Sequence, residues 1–193
     1  PADPNRLTDE EEKIINQLSL TFMNNEKMRR HMGCLLSHGS LYLARNNNLM
    51  FHASMPMNPD ASFKAVEIEG ETFSGKKLFD RIDRLVQLAC RKSNDEGDQE
   101  YAVDYMWYLW CGPDSPLFDK SKMATFERYL IADKETHREI RGNYYRLHDD
   151  SAICDRILRE FGLPTEGSHI INGHVPVKIK KGENPVKADG KLL

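Results

Sequence analysis

Several features are scarce or missing from this 193-residue chain. No run of apolar residues approaches the roughly 18 needed to cross a bilayer, so the sequence gives no spanning helix. The first thirty residues are acidic and polar, not a basic start followed by an apolar stretch, and they carry no secretion signal. Only four cysteines occur, Cys34, Cys90, Cys111 and Cys154, without a C-x-x-C spacing; they read as reduced, buried thiols of a cytoplasmic protein. An excess of positive charge is also lacking, since the formal net charge is -3, which removes the general electrostatic reason to bind nucleic acid. Neither G-x-G-x-x-G nor G-x-x-x-x-G-K-[ST] is present, so the usual phosphate-cradling glycine loops are excluded as signatures, and no internal repeat stands out.

What is present is a pair of short apolar runs that each stop at a histidine. The first is Leu49-Met50-Phe51-His52, followed by Ala53-Ser54-Met55-Pro56; the second is His169-Ile170-Ile171-Asn172-Gly173-His174, followed by Val175-Pro176. A strand that carries an imidazole past its end and then turns at small residues or proline can hold a metal ligand on a rigid edge. Two such edges can share one ion, and His52 and His174 are the candidate ligands. Each also has a plain reading as a surface or hydrogen-bonded histidine. Asn172 projects to the same side of an extended strand as His174 and is a candidate for orienting a ligand or substrate. His169 is a weaker candidate on the same edge. Lys178, Lys187 and Arg146 are candidate substrate contacts, because a phosphate ester needs cations and arginine grips it bidentately. No residue is singled out as a catalytic acid, base or nucleophile.

The order of elements reads as short strands at both ends of a mainly helical middle. Thr8 and Glu11 form a capping-box signal for a helix running to about Arg30, with Ile15, Leu18 and Phe22 on its apolar face and Met32–Leu36 packed against it. Leu41–Ala44 and Leu49–Phe51, separated by an asparagine cluster, read as a tight hairpin. A strand over Phe63–Glu69, then a helix capped by Ser74 with Leu78, Ile82, Leu85, Val86 and Ala89 on one face, come next. Arg91 and Lys92 fall in its last turn, and Ser93–Asp98 reads as a loop. Tyr101–Trp110 is a helix with aromatics on more than one face, stopped at Cys111-Gly112-Pro113, and Asp104 within it is expected to be partly buried. Ser121 and Asp133 are candidate caps for two short helices. Tyr144, Tyr145 and Arg146 read as a loop. Asp150 or Ser151 opens the last helix, which Gly162-Leu163-Pro164 ends. The expected class is α/β with mixed short strands, one domain over 1–193, and a helical region at about 75–162. At the C-terminus Gly190-Lys191-Leu192-Leu193 resembles the start of a strand, and both ends of the chain read as cut.

Beyond these local signals, longer segments match a known family in order. Asn46 to Met57, Gly112-Pro113-Asp114-Ser115-Pro116-Leu117-Phe118, Thr125-Phe126-Glu127-Arg128-Tyr129, Asp133-Lys134-Glu135-Thr136-His137 and His169 to Lys178 resemble the class III fructose-1,6-bisphosphatase of Firmicutes and Bacteroidetes. The resemblance implies a calcineurin-like metallophosphatase core with family-specific insertions. It also implies hydrolysis of the 1-phosphate of fructose 1,6-bisphosphate to fructose 6-phosphate and phosphate, in gluconeogenesis, by metal-activated hydroxide at a dinuclear manganese site. On that pattern His52 and His174 belong to one metal. Pro176 stands where many relatives carry another histidine. The motifs D-x-H, G-D-x-x-D-R-G and G-N-H-[DE] do not occur here and are expected before Pro1. The chain thus resembles the C-terminal part of a catalytic region whose partner is the remainder of the same polypeptide; alone it is expected to bind metal weakly and to be inactive. A homo-oligomer is compatible with this reading. A metallophosphatase for a different phosphate ester, and a non-catalytic binding or regulatory module, are the alternative readings.

Overall fold

The structure is a computed structural model that describes residues 6–90 and 96–193. Two compact units are distinguished, one ending at Gly39 and one running from Ser40 to Leu193.

The first unit contains helices α1 (Asp9–Met23) and α2 (Glu26–His38). The capping box forms as expected: the Thr8 amide donates to Glu11 Oε2 at 2.7 Å and the Glu11 amide to Thr8 Oγ1 at 3.3 Å. The single helix expected to reach Arg30 is instead broken at Asn24-Asn25. Asn25 adopts an extended backbone and its Oδ1 accepts from the Met28 amide at 2.9 Å, so it caps a second helix. Neither helix buries a residue. Ile15, Leu18, Phe22, Met32 and Leu35 are exposed, so the packing expected for Met32–Leu36 is not what forms.

In the second unit a mixed three-stranded sheet runs in the order β1 (Tyr42–Arg45), β2 (Asn48–Phe51), β5 (His169–Ile171). The β1–β2 hairpin closes through Asn46 and Asn47, both left-handed with φ of 50° and 60°, as a two-residue turn with the strands' own twist requires. Asparagine reaches this region at low cost because its short amide bonds locally. β5 pairs with β2 in parallel, Leu49 opposite Ile170, and Lys191–Leu193 then runs alongside β5 with Ile170 N donating to Lys191 O at 2.7 Å and Leu193 N to Ile170 O at 2.9 Å. A second hairpin, β3 (Val66–Ile68) and β4 (Glu71–Phe73), turns at Glu69-Gly70; the strand expected over Phe63–Glu69 is shorter, and β4 had no counterpart in the sequence reading.

Helix α3 (Gly75–Cys90) forms the wall between two cores. Phe79 faces one side, packing edge-on to Phe51 and Phe161, with Leu49, Met55, Tyr144, Ile157 and Ile170 around it. Leu78, Ile82 and Leu85 face the other, against Tyr105 and Leu109 of α4 (Glu96–Cys111) and Ile68 of β3. Each such buried side chain contributes roughly 1.5–3 kcal/mol by leaving water. The start of α3 is capped not by the Ser74 side chain but by Glu160, whose Oε1 accepts from the Lys76 amide at 2.9 Å. Arg91 and Lys92 lie outside the described residues, as does the first half of the expected Ser93–Asp98 loop; its second half, from Glu96, is already helix α4. On α4 Tyr105 is buried while Trp107 and Trp110 are exposed, so the aromatics do occupy two faces; Asp104, expected to be partly buried, is exposed.

Helix α5 (Thr125–Leu130) starts without a side-chain cap, and Ser121 Oγ instead accepts from the Ile140 amide at 3.0 Å. Asp133 does cap a short turn of 3-10 helix, Lys134–His137. Tyr144, Tyr145 and Arg146, expected as a loop, belong to a helical turn, α6 (Tyr144–Leu147), because the Tyr144 ring is wholly buried under Phe51. Asp150 caps α7 (Ser151–Glu160). That helix ends in a Schellman motif with Gly162 at φ 74° and the Leu163 amide donating to Leu158 O at 2.9 Å. The observed class is therefore α/β. Cys34 and Cys90 are exposed and only Cys154 is fully buried, against the expectation that all four would be; all are free thiols. No helix among the described residues is long and apolar enough to cross a membrane.

Candidate metal-binding edge

Parallel pairing of β2 and β5 brings the carboxyl ends of both strands to the same edge of the sheet. Phe51 ends β2 and His52 follows at once; Ile171 ends β5, and Asn172 and Gly173 carry the chain to His174. The His52 carbonyl accepts from both the Gly173 and the His174 amides, each at 3.1 Å, and Asn172 Nδ2 donates to the Ala53 carbonyl at 2.7 Å. Three hydrogen bonds thus lock the two turns together. The imidazoles consequently meet: His174 Nδ1 lies 3.0 Å from His52 Nε2, with ring centroids 4.9 Å apart and planes at 72°.

Two nitrogens this close either share one proton or turn both lone pairs toward a cation; two protonated rings would repel. Donors about 2.1 Å from a common ion and about a right angle apart sit about 3 Å from each other, so the observed spacing suits adjacent ligands. His52 is exposed and His174 half-buried. The His174 ring is held below its ordinary pKa, first by burial, then by the charges of His52, Lys120 and Arg141. That favours the neutral, ligating form. The pair is a partial donor set: among the described residues no cluster of three or more His, Cys, Asp or Glu stands ready to hold an ion.

The other sequence-derived candidates lie in different surroundings. Arg146 Nη2 donates to the Pro59 carbonyl at 3.1 Å. Lys178 is exposed, and its amide donates to Glu183 Oε2 at 2.9 Å. Lys187 is ion-paired to Glu183 at 2.8 Å and to Asp149 at 3.6 Å. None of these three side chains is hydrogen-bonded or ion-paired to either imidazole among the described residues. His169 Nδ1 lies 2.8 Å from the Gly190 carbonyl, which accounts for it structurally. A cavity of about 60 Å³ is lined by Tyr145, His148, Asn172, Val177, Lys187 and Leu193. Its size admits water or a small ion, not a sugar phosphate. His148 beside it is pushed down in pKa, mainly by burial, while Asp149 at 2.6 Å opposes that change.

Sequence reasoning passed over a rung on the neighbouring segment. Lys120 and Arg141 pair as an isolated antiparallel bridge, fixed by Gly142 N to Asp119 O at 2.9 Å and Ser121 N to Ile140 O at 2.8 Å. Asp119 is a left-handed, buried acid at φ 45°, and burial pushes its carboxyl up to about 6. The Ser54 hydroxyl lies near enough to favour the ionised form, although no bond of good geometry reaches Asp119 Oδ2. A Cβ on Gly142 would collide with Asp119 Oδ1, so glycine is the residue that lets the carboxylate sit there. Gly142 following Arg141 was the available signal in the sequence; what it accommodates was not visible.

Comparison with known proteins agrees across the whole chain. The Firmicute fructose-1,6-bisphosphatase family matches residues 1–193. Among curated relatives, proteins named fructose-1,6-bisphosphatase class 3 are 57% identical in Bacteroides fragilis, 54% in Bacteroides thetaiotaomicron and 51% in Clostridium tetani, each over all 193 residues. This chain spans about 29% of the length of those relatives. No solved structure matches it. With an unbroken match from the first residue to the last and identities above one half, the chain belongs to the Firmicute fructose-1,6-bisphosphatase family.

Proposed function

We propose that this chain is part of the catalytic region of a cytoplasmic phosphatase with a calcineurin-like core. The reaction is hydrolysis of fructose 1,6-bisphosphate at its 1-phosphate: water supplies an oxygen to phosphorus, the bond from phosphorus to the C1 oxygen breaks, and fructose 6-phosphate and inorganic phosphate leave. In this reading the enzyme serves gluconeogenesis. His52 and His174 would hold one manganese ion of a dinuclear site, and the remaining ligands would come from the rest of the polypeptide. When bound, the divalent cations neutralise phosphate charge and make water a better nucleophile. The chain's own contribution is rigid placement. The His52 carbonyl ties both turns, Asn172 fixes Ala53, and burial keeps the His174 ring neutral near pH 7, so its lone pair is available without first losing a proton.

The observation that carries this reading is the 3.0 Å approach of two imidazoles from distant stretches, within a chain that matches class 3 fructose-1,6-bisphosphatases end to end. The test is phosphate release from fructose 1,6-bisphosphate by the full-length polypeptide, with and without manganese. Manganese-dependent release that His52→Ala and His174→Ala each reduce at least about tenfold supports it, since loss of a ligand or its support typically costs that much or more. Turnover of a different phosphate ester without release from this one would assign another substrate.

A further inference from the structure

We propose that Ser115 is a positioning residue for the metal centre: by ordering the turn Gly112–Asp119 it fixes the backbone beside His52, and with it the direction of that imidazole. This rests on the proposed reading of His52 and His174 as ligands and deepens it. Each residue of the turn that leaves β2 has a backbone group held from outside. The His52 carbonyl accepts from the Gly173 and His174 amides, and the Ala53 carbonyl accepts from Asn172. Those bonds tie one proposed ligand to the other. The Ser54 amide instead donates to the Pro116 carbonyl at 3.1 Å, in the segment that follows α4. That bond ties the His52 turn to a separate part of the core, and both Ser54 and Pro116 are buried.

Pro116 is a fixed reference because Ser115 orders the chain around it. The Ser115 side chain is wholly buried. Its hydroxyl donates to the Leu109 carbonyl, one of those that the end of α4 leaves without an intrahelical partner, and accepts from the Leu117 amide at 3.2 Å. One hydroxyl thus holds the residue just past Pro116 against the end of α4. The Ser115 carbonyl accepts from the Phe118 amide at 3.1 Å and from the Asp119 amide at 2.8 Å, and the Asp119 carbonyl accepts from the Gly142 amide at 2.9 Å. The turn is therefore anchored at both ends. On its outer side Asp114 Oδ1 accepts from Lys64 Nζ at 2.7 Å, while the Lys64 amide donates to the Pro56 carbonyl at 2.9 Å, which fastens the same turn to the segment that continues from His52. Removing the Ser115 hydroxyl takes a partner from the Leu109 carbonyl and from the Leu117 amide, and the Pro116 carbonyl loses its fixed place opposite Ser54. A ligand whose support is loosened holds its ion less tightly, by roughly 10- to 100-fold in affinity.

The experiment uses the full-length phosphatase freed of metal. Manganese binding is measured from the electron paramagnetic resonance signal of the free ion, and phosphate release from fructose 1,6-bisphosphate is followed across a manganese titration. For Ser115→Ala the expected result is a loss of about tenfold in affinity for one manganese ion. The manganese concentration for half-maximal activity should rise by a similar factor, while saturating manganese should restore most of kcat and leave KM for the bisphosphate unchanged. Lys64→Gln, which opens the outer ion pair and keeps the Ser115 hydroxyl, should shift manganese affinity in the same direction by a smaller factor, and it decides the matter if Ser115→Ala does not fold. Unchanged manganese affinity in folded Ser115→Ala, or in Lys64→Gln where the first variant does not fold, would overturn the assignment while leaving the phosphatase reading standing. So would a fall in kcat that saturating manganese does not restore, since a merely structural loss does not follow metal occupancy. A wild-type enzyme that neither binds manganese nor releases phosphate from the bisphosphate would instead remove the reading on which the assignment rests.

Discussion

Replacing Asp119 by asparagine removes a buried carboxylate at nearly constant shape, and its consequence for stability can be worked out. The carboxyl is pushed from its ordinary 3.8 to about 6, chiefly by burial, with Asp114 adding to the effect and Ser54 and Lys64 opposing it. An acid whose pKa is higher in the folded chain than in the unfolded one stabilises the fold while protonated in both. That stabilisation is present below about pH 4 and is lost as pH rises through about 6, because ionisation is then easier in the unfolded chain. Each pH unit of difference is worth about 1.4 kcal/mol, so the loss approaches 3 kcal/mol by pH 8. The carboxamide of the variant would stay neutral throughout. Urea denaturation of wild type and Asp119→Asn, at intervals from pH 4 to pH 8, should therefore show a difference that grows in favour of the variant by about 3 kcal/mol across that range. A difference constant to within about 0.5 kcal/mol, the scatter of an ordinary surface substitution, would refute the claim that burial holds the Asp119 carboxyl above its ordinary pKa.

The same rung makes a second prediction: Gly142→Ala, whose new methyl would collide with the Asp119 carboxylate, should destabilise the chain by roughly 2–3 kcal/mol in denaturant titration, and Asp119→Ala should recover part of that loss. In the β1–β2 turn, Asn47→Val forces a β-branched residue into left-handed backbone and should cost about 1–2 kcal/mol, read as a lower midpoint of thermal unfolding, whereas Asn47→Gly should be tolerated. His174 should titrate below its ordinary 6.5 when followed by NMR of the ring protons, and Arg141→Gln should move that midpoint upward, because one of the charges opposing protonation is gone. Phe79→Ala, which empties the ring that Phe51 and Phe161 pack against, should lower stability by roughly 3–5 kcal/mol.

Much of the local structure was legible because its cause is local. The Thr8–Glu11 capping box, the Asn46-Asn47 turn, the Asp150 cap and the Gly162 stop each follow from the chemistry of a few neighbouring residues. The break at Asn24-Asn25 used the same chemistry, but the apolar period continued across it and masked the cap. The cap of α3 could not be read locally, since Glu160 supplies it from a helix 84 residues further along. Tyr144 to Arg146 reads as a loop and becomes helical because burying the Tyr144 ring outweighs weak local preference.

The candidate site divides in the same way. His52 and His174 could be named from the chain itself, because an imidazole just past an apolar run followed by small residues or proline is visible in order along the sequence. Arg146, Lys178 and Lys187 were selected on charge alone. Once folded, Arg146 donates to Pro59, Lys187 is occupied by Glu183 and Asp149, and the Lys178 side chain points to no partner at the imidazole pair. Asp119 and Arg141 carried no comparable signal, for the rung that joins them exists only when residues 119–121 lie against 140–142.

By itself the sequence determined the α/β class, the family, and several turn and cap positions, among them the Thr8–Glu11 box, the Asn46-Asn47 turn and the Asp150 cap, all of which depend on residue type and short spacing. Tertiary structure alone decided that β2 and β5 run parallel, that their carboxyl ends share an edge, and that the His52 and His174 rings meet there. The physical reason is that strand pairing and charge proximity are set by burial of Leu49, Phe51 and Ile170 in one core, an energy that no short stretch of chain possesses on its own.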